Sequence, residues 1–438
     1  MLMKWLRGGL RWVMRRGVPL MLWALVIVFV LPRSTAPIHD LNFRLAYEIS
    51  GGYFDYVGWT LNALASKARQ TLYGVHPYLS EAERSDFVRE YMADVAQAQR
   101  LEAEIAAVYS DPNVADAAEA TAAVRERRDA LRASLEARQW IAEGILEGQV
   151  AAVLIDEGFG IAGQLVPPMA MHMTRVPNLL VASPRDAIRL EVSLNLLPLA
   201  VDGMSALEDR LAEAYELSAL VVNLGGIALY PAMILETSSI AFAVETFAHE
   251  WLHHYLYFFP LGLAYFVTPE GLNAEARSIN ETTASLFGKE IGRRVLERYY
   301  PDLVPPPPPP PIAPGESTPS PTSEPPAFDL GREMHVTRVR VDELLAAGAV
   351  EEAEAYMEER RRFFYENGYR FRRINQAFFA FYGGYQAEGI PGIAGEDPIG
   401  PAVQEIRERL PSARDFVLAL RGLTTREELL ALREGLRR

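Results

Sequence analysis

The chain of 438 residues contains no cysteine, which excludes disulfide bonds, cysteine-based zinc sites and cysteine nucleophiles. It is also poor in lysine, since arginine carries nearly all of the positive charge and the lysines are Lys4, Lys67 and Lys289. The formal net charge is -14. We therefore expect no nucleic-acid partner, because phosphate binding needs a basic surface.

Uncharged runs long enough to cross a membrane are scarce, and the candidate lies near the N-terminus. Residues 17–32 carry no charge and follow the basic residues Lys4, Arg7, Arg11, Arg15 and Arg16. This order predicts a transmembrane signal anchor with residues 1–16 in the cytoplasm, hence a single-pass protein of the cell membrane with its catalytic domain outside. A signal peptide cleaved after Ser34-Thr35-Ala36 is the alternative, although Pro37 fits poorly after such a cut.

Histidine is scarce as well, yet three of the seven histidines lie within Ala248–Tyr255. This segment contains the pattern His-Glu-x-x-His. On a helix, His249 and His253 lie one turn apart on the same face, where both can bind one metal ion. Glu250 can then reach a water on the metal without being a ligand itself. Two neutral nitrogen ligands, an open position and a nearby carboxylate base are typical of zinc hydrolases.

The alternative is that these histidines are ordinary surface residues. The flanking segments 239–248 and 255–259 are apolar nearly all round, which predicts a buried helix. Ionisable groups are costly to bury unless they are paired or bound to metal, so the pattern favours a metal site.

A third ligand is expected from the next helix, predicted over residues 279–288. Glu281 lies in this helix, twenty-eight residues after His253. Glu270 and Glu275 are nearby acids, but their segment contains Gly, Asn and Pro and has no apolar periodicity. The context favours Glu281.

These motifs resemble those of the thermolysin-like zinc peptidases and, more broadly, of the gluzincins. In that pattern, His-Glu-x-x-His lies on one helix and a Glu preceded by Asn lies on a second, as Asn280 precedes Glu281 here. The resemblance implies that Zn²⁺ is bound by His249, His253 and Glu281, with Glu250 polarising the water. It covers about forty residues and speaks for the site alone.

One position departs from the thermolysin-like pattern. Where that pattern has an Asp that orients the first His, this chain has Ser285. Because a metal-bound His needs a partner for its second nitrogen, we expect Ser285, Glu245 or a backbone carbonyl to orient His249.

A second resemblance covers Asn375–Tyr385, which is similar to the C-terminal segment of a bacterial family of predicted aminopeptidases. It implies that Tyr385, or alternatively Tyr382, stabilises the oxyanion of the tetrahedral intermediate. The other interpretation is an aromatic stripe of the core that ends in a Gly-Gly turn.

The remaining pattern predicts an α+β fold that is predominantly α-helical. We expect a zincin-like metallopeptidase domain that follows an N-terminal transmembrane helix and a helical hairpin over residues 80–155, which can hold a protein partner. Leu220–Tyr230 is either an edge strand beside the metal helix or a buried strand. The expected segments after the anchor are 33–155 (juxtamembrane helices and hairpin), 156–303 (zinc metallopeptidase core), 304–327 (Pro-rich linker or inserted loop) and 328–438 (C-terminal helical part).

The sequence thus predicts a membrane-anchored zinc metallopeptidase that cleaves a peptide or protein with Glu250 as general base. The main alternative is a membrane-tethered helical scaffold whose metal site is structural or inactive. Hydrolysis of a non-peptide amide or ester is a further alternative. A cavity closed by an acid would indicate an aminopeptidase, and an open groove would indicate an endopeptidase.

Overall fold

The computed structural model describes Leu20 and residues 39–49, 51–109, 116–266, 273–305, 328–386 and 390–438. The chain divides into two compact units, Met1–Gly51 and Gly52–Arg438. The first contains helix α1 (Leu41–Glu48), which begins after Asp40, whose carboxylate accepts a hydrogen bond from the Phe43 backbone N–H. The second contains the candidate site.

The prediction of a transmembrane helix, and with it a single-pass location in the cell membrane, is wrong for the described residues. Within the described ranges, no helix combines the length and the apolar character needed to span a bilayer. Apart from Leu20, the predicted anchor at 17–32 lies outside the described residues.

The second unit is mostly helical and contains a two-stranded hairpin and two small three-stranded sheets, which confirms the prediction of a predominantly helical α+β fold. Its helices are α2 (Tyr56–Tyr73), α3 (Glu81–Tyr109), α4 (Ala117–Ala120), α5 (Ala122–Leu154), α6 (Val201–Tyr215), α7 (Ile240–Leu256), α8 (Pro260–Phe266), α9 (Ala274–Tyr299), α10 (Leu330–Ala346), α11 (Val350–Glu366), α12 (Gln376–Tyr382), α13 (Ile399–Arg409), α14 (Ala413–Leu420) and α15 (Arg426–Arg437).

The strands form a short hairpin and two three-stranded sheets. They are β1 (Gly160–Ile161), β2 (Gln164–Leu165), β3 (Met171–Thr174), β4 (Asn178–Pro184), β5 (Val192–Leu196), β6 (Leu217–Asn223), β7 (Gly226–Ile227) and β8 (Ala232–Leu235). The first sheet is antiparallel with the order β5-β4-β6, and the second has the order β3-β8-β7, in which β3 and β8 run parallel.

The predicted pair of long helices is present as α3 and α5, which pack against each other. The second half of α5 is buried and also contacts α7, α9 and β3. Two buried carboxylates join α5 to the outer strand β3. Glu147 accepts a hydrogen bond from the Met171 N–H at 2.6 Å, and Glu143 accepts one from the Met173 N–H at 2.8 Å. Lys67 of α2 pairs with both acids, so the hairpin is part of the core at this end.

Helices α7 and α9 pack closely because glycines lie at their contact. A Cβ atom on Gly288 would be 2.9 Å from the Glu245 carbonyl oxygen, and one on Gly292 would be 3.0 Å from the Glu245 Cα. Side chains at these two positions would therefore force the helices apart. Ser239 caps α7 and Asn273 caps α9, each accepting a backbone N–H of its first turn.

The C-terminal part packs on the antiparallel sheet and returns to the candidate site. Helix α12 contacts β4 and β6, and Tyr385 follows directly after its end. The buried carboxylate of Glu208 in α6 pairs with Arg372 and Arg373 of the segment that leads into α12. Of the predicted proline-rich segment, residues 306–327 lie outside the described residues.

Candidate metal centre

Two histidines of α7 and one carboxylate of α9 bring their donor atoms together. The Nε2 atoms of His249 and His253 are 3.0 Å apart, and the Glu281 Oε2 atom lies 3.5 Å from the first and 3.6 Å from the second. His253 and Glu281 are buried and His249 is partly so. These three residues form a group that can hold a metal ion.

The separations between the donors agree with a tetrahedral site. With metal–ligand distances of about 2.0–2.1 Å, two donors of a tetrahedron are roughly 3.3 Å apart. The distances of 3.0, 3.5 and 3.6 Å lie around this value. The donor set of two imidazoles and one carboxylate also matches three-ligand catalytic sites that leave one position open. The residues present therefore fit a divalent ion of this kind.

Each of two donor side chains is oriented by a neighbour. His253 Nδ1 lies 2.8 Å from the Asn280 side-chain oxygen. Because this oxygen can only accept, Nδ1–H donates the hydrogen bond, and the Nε2 lone pair is left for a metal. The Tyr265 hydroxyl of α8 donates to Glu281 Oε1 at 2.6 Å. Burial raises the pKa of Tyr265 well above its usual range, so this hydroxyl remains a donor.

The charge of Glu281 is stabilised from the α7 side. Burial alone would raise the pKa of this carboxyl, but attraction and hydrogen bonding from His253 and His249 outweigh it and hold the pKa well below its usual range. Glu281 is therefore ionised, as a metal ligand must be.

Ser285 does not orient His249. Its hydroxyl oxygen is buried and has no hydrogen-bond partner among the described residues. Of the three expected candidates, Glu245 and a backbone carbonyl thus remain. Glu245 lies one turn before His249 and also lines the site.

Glu250 follows the donor His249 in the chain, and its side chain lies against β7, the outer strand of the second three-stranded sheet on the side opposite β3. It is buried, and a Cβ atom on Gly226 of β7 would lie 2.3 Å from its Oε1 atom. Glycine is therefore required at position 226 for the carboxylate to occupy this place. Both residues line a cavity of about 750 Å³, together with all three donor residues.

The two candidate tyrosines, Tyr385 and Tyr382, reach this cavity as well. Tyr385 follows α12, and its hydroxyl interacts with the Arg277 guanidinium. Burial raises the pKa of Tyr385 above its usual range, and Glu281 and Glu250 act in the same direction, so the hydroxyl keeps its proton. Tyr382 packs with Phe378 and Phe381.

The segment Leu220–Tyr230, considered as one strand, is divided between two sheets. Its first part belongs to β6, which is almost entirely buried and packs against α6 and α12. Its second part contains β7, which pairs with β8 and with no other described strand, and which lines the cavity. The interpretation as a buried strand thus holds for β6, and the interpretation as an edge strand holds for β7.

His254, the third histidine of the segment Ala248–Tyr255, has a structural role. His254 Nε2 lies 2.5 Å from the Leu229 carbonyl oxygen, and Tyr257 donates to the Ala228 carbonyl at 2.9 Å. Burial lowers the pKa of His254 to about 4, which keeps the imidazole neutral as a donor. These bonds attach the loop after β7 to the end of α7.

Several residues at the site received no role in the sequence analysis, among them Asn280, which bonds His253, and the cavity residues Tyr265, Arg277 and Gly226. Asn280 belongs to the motif, but the spacing of the motif does not predict its hydrogen bond to His253. The position of Arg277, one helical turn before Glu281, is a signal that could have identified it. Tyr265 and Gly226 carry no such local signal.

Comparisons of the chain with protein-family models, curated proteins and solved structures found no match.

Proposed function

We propose that this protein is a zinc-dependent peptidase that hydrolyses peptide bonds with Glu250 as general base. The observation that carries the proposal is the set of three donor atoms from His249, His253 and Glu281 at tetrahedral separations, with Glu250 facing the same cavity. A site that served structure alone would have no use for this additional buried carboxylate.

The proposed metal is zinc because the donors are two imidazoles and one carboxylate, as in hydrolytic zinc sites. When bound, zinc supplies Lewis acidity, which polarises a carbonyl group and makes water easier to deprotonate. Glu250 accepts a proton from the attacking water as the new C–O bond forms, and delivers it to the amine as the C–N bond breaks. The Tyr385 hydroxyl donates a hydrogen bond to the developing oxyanion.

Strand β7 supports an extended peptide as substrate. The Leu235 N–H donates to the Gly225 carbonyl, so the alternation of an antiparallel ladder turns the N–H and C=O of Gly226 away from β8. These groups are available to pair with the main chain of a peptide lying in the cavity, which binds substrate independently of its side chains.

Metal content tests the ligand set. The full-length protein should contain about one zinc per chain by elemental analysis, whereas Glu281→Ala and His253→Ala should lose it because two donors hold zinc weakly. His335→Ala is the matched control, since this histidine lies outside the cavity beside Glu396. A native protein that takes up no zinc when refolded with it would refute the proposed site.

Hydrolysis tests the reaction. Glu250→Gln should retain zinc and lose roughly 10²–10⁴-fold or more in kcat/KM on a peptide substrate, because the amide cannot accept the proton. Cleavage can be followed by mass spectrometry on a mixed peptide library. Undiminished cleavage by Glu250→Gln would assign the base to another residue.

A further inference from the structure

Arg277 is a buried cation on the wall of the proposed catalytic cavity. It lies on α9 one turn before Glu281, so both side chains are on the same face of the helix. It is 6% exposed and lines the cavity with the metal donors. Cations are costly to bury without an anionic partner. The groups around Arg277 therefore indicate whether its partner belongs to the protein or to a bound ligand.

The groups in direct contact with Arg277 are neutral: two aromatic rings, two carbonyl oxygens and the Tyr385 hydroxyl, with which the guanidinium forms a hydrogen bond. The guanidinium lies 5.4 Å from the ring centroid of Phe381 and 5.2 Å from that of Tyr385. Its hydrogen bonds to the carbonyl oxygens of Ala380 and Phe381 are long, at 3.4–3.5 Å. In the described part of the chain, no carboxylate is within ion-pair distance of this guanidinium, although Glu281 attracts it from one helical turn away.

The surrounding chain keeps space for this guanidinium. A Cβ atom on Gly384 would lie 2.3 Å from Nη1 of Arg277, so a side chain at this position would collide with it. The carboxylate of Glu281 is one turn away and is already engaged by the two histidines and Tyr265. Arg277 is thus held in place by rings, carbonyl oxygens and the Tyr385 hydroxyl, and it lines the cavity without a paired carboxylate.

We propose that Arg277 determines substrate specificity by binding a carboxylate of the substrate close to the bond that is cleaved. A guanidinium suits this role because its planar N–H groups can donate two parallel hydrogen bonds to one carboxylate. The carboxylate is either the free C-terminus of a peptide or an acidic side chain. The inference rests on the proposed function for its substrate class. It differs from the expected aminopeptidase arrangement, in which an acid binds a free amine.

Binding of matched peptides tests the proposal without requiring turnover. The full-length Glu250→Gln protein, loaded with zinc, is titrated calorimetrically with N-acetyl-phenylalanyl-leucine and with its C-terminal amide. A second pair, N-acetyl-phenylalanyl-glutamate amide and the glutamine equivalent, tests an acidic side chain. In one pair, the carboxylate form should bind roughly 10–100-fold more tightly, as expected for a charge-assisted hydrogen bond in a buried site. The pair that shows the preference identifies the source of the carboxylate.

Substitution of Arg277 should remove the preference and leave binding of the uncharged peptide unchanged. Arg277→Gln in the same background should equalise the two affinities, and Arg277→Lys should retain part of the difference because it keeps the charge. Arg338→Gln is the matched control. Arg338 also stacks on an aromatic ring and contacts a carbonyl, but it lies outside the cavity and pairs with Asp342.

Several outcomes would overturn the proposal. Equal affinities within both pairs in the Glu250→Gln protein, or no binding of any of the four peptides, would exclude a carboxylate site. Equal losses for charged and uncharged peptides in Arg277→Gln and Arg277→Lys would assign Arg277 to holding Tyr385 and the end of α12. If the Glu250→Gln protein shows the carboxylate preference but the native protein cleaves no peptide, the proposed function alone is refuted. Cleavage without the preference would refute this inference alone.

Discussion

At the scale of single residues, the candidate site depends on side chains that control other side chains. Asn280 sets the tautomer of His253, and Tyr265 occupies the second oxygen of Glu281, so each donor presents one atom to the shared position. Ser285 makes no comparable contribution, because its buried hydroxyl has no partner in the described structure. The site is therefore oriented by the residue before Glu281 and by α8.

Gly226 offers a test of the place occupied by Glu250. A methyl group at this position would lie 2.3 Å from the Glu250 carboxylate and would displace it, and its three nearest atoms all belong to Glu250 rather than to the donor residues. We expect Gly226→Ala to reduce kcat/KM by about tenfold or more, because general-base catalysis needs correct placement. Zinc content should stay at the native level.

Gly225→Ala is the matched control for this substitution. A Cβ atom at Gly225 would meet the Phe242 ring at 3.5 Å, an ordinary contact, so its kcat/KM should remain close to the native value. Equal activities for the two variants would contradict the role assigned to the Gly226–Glu250 contact.

At the scale of elements, the packing of α7 against α9 determines whether the donors meet. Helical periodicity places His249 and His253 on one face of α7, but Glu281 belongs to another helix. Gly288 and Gly292 allow the two backbones to approach until the Glu281 carboxylate is 3.5–3.6 Å from the imidazole nitrogens. We therefore expect both the affinity for a metal ion and the stability of the protein to depend on this glycine contact.

A methyl group at Gly288 should weaken both properties. Because it would lie 2.9 Å from the Glu245 carbonyl, we expect Gly288→Ala to lower the free energy of unfolding by about 1–3 kcal/mol, as overpacking usually does. Zinc affinity should fall in parallel. Urea unfolding and competition with a chelator measure the two effects.

Gly148→Ala provides the comparison within another helix. No atom lies within 4 Å of a Cβ built at this exposed position of α5, so alanine should stabilise the protein by about 0.5–1 kcal/mol. If Gly288→Ala behaved in the same way, the helices would not be in the close contact described here.

At the scale of the whole molecule, the cavity is completed by a segment far away in the chain. Tyr385 and Phe381 reach it because the C-terminal part packs on the antiparallel sheet. The buried Glu208 carboxylate connects these parts: it accepts the Val221 N–H at 2.6 Å and pairs with Arg372 and Arg373. One acidic residue thus joins α6, β6 and the segment before α12.

Glu208→Gln should destabilise the molecule and disturb the cavity. Removing a buried charge leaves both arginines incompletely paired, and we expect a loss of about 3–5 kcal/mol in the free energy of unfolding. Asp209→Asn is the neighbouring control, because Asp209 is exposed and its single pair with Arg373 should contribute little. Urea unfolding that does not distinguish the two variants would contradict the connecting role of Glu208.

The sequence alone predicted the parts of the site that depend on local spacing. The His-Glu-x-x-His helix, the choice of Glu281 over nearby acids, and the mostly helical α+β fold all follow from periodicity and composition. The predicted transmembrane helix was wrong, since the helices of the described part contain none of sufficient length and apolar character. Local patterns also could not separate β6 from β7, because both strands are short and apolar and are distinguished by their partners.

What the sequence by itself determined is that His249 and His253 can serve as donors to one metal ion, because helical geometry places residues four apart on one face. Tertiary structure decided that the Glu281 carboxylate meets those donors and that Gly226 lies against Glu250. It also decided that Tyr385 and Arg277 share one cavity. The physical reason is that these contacts join residues distant in the chain, and their positions follow from the packing of helices and sheets rather than from any local pattern.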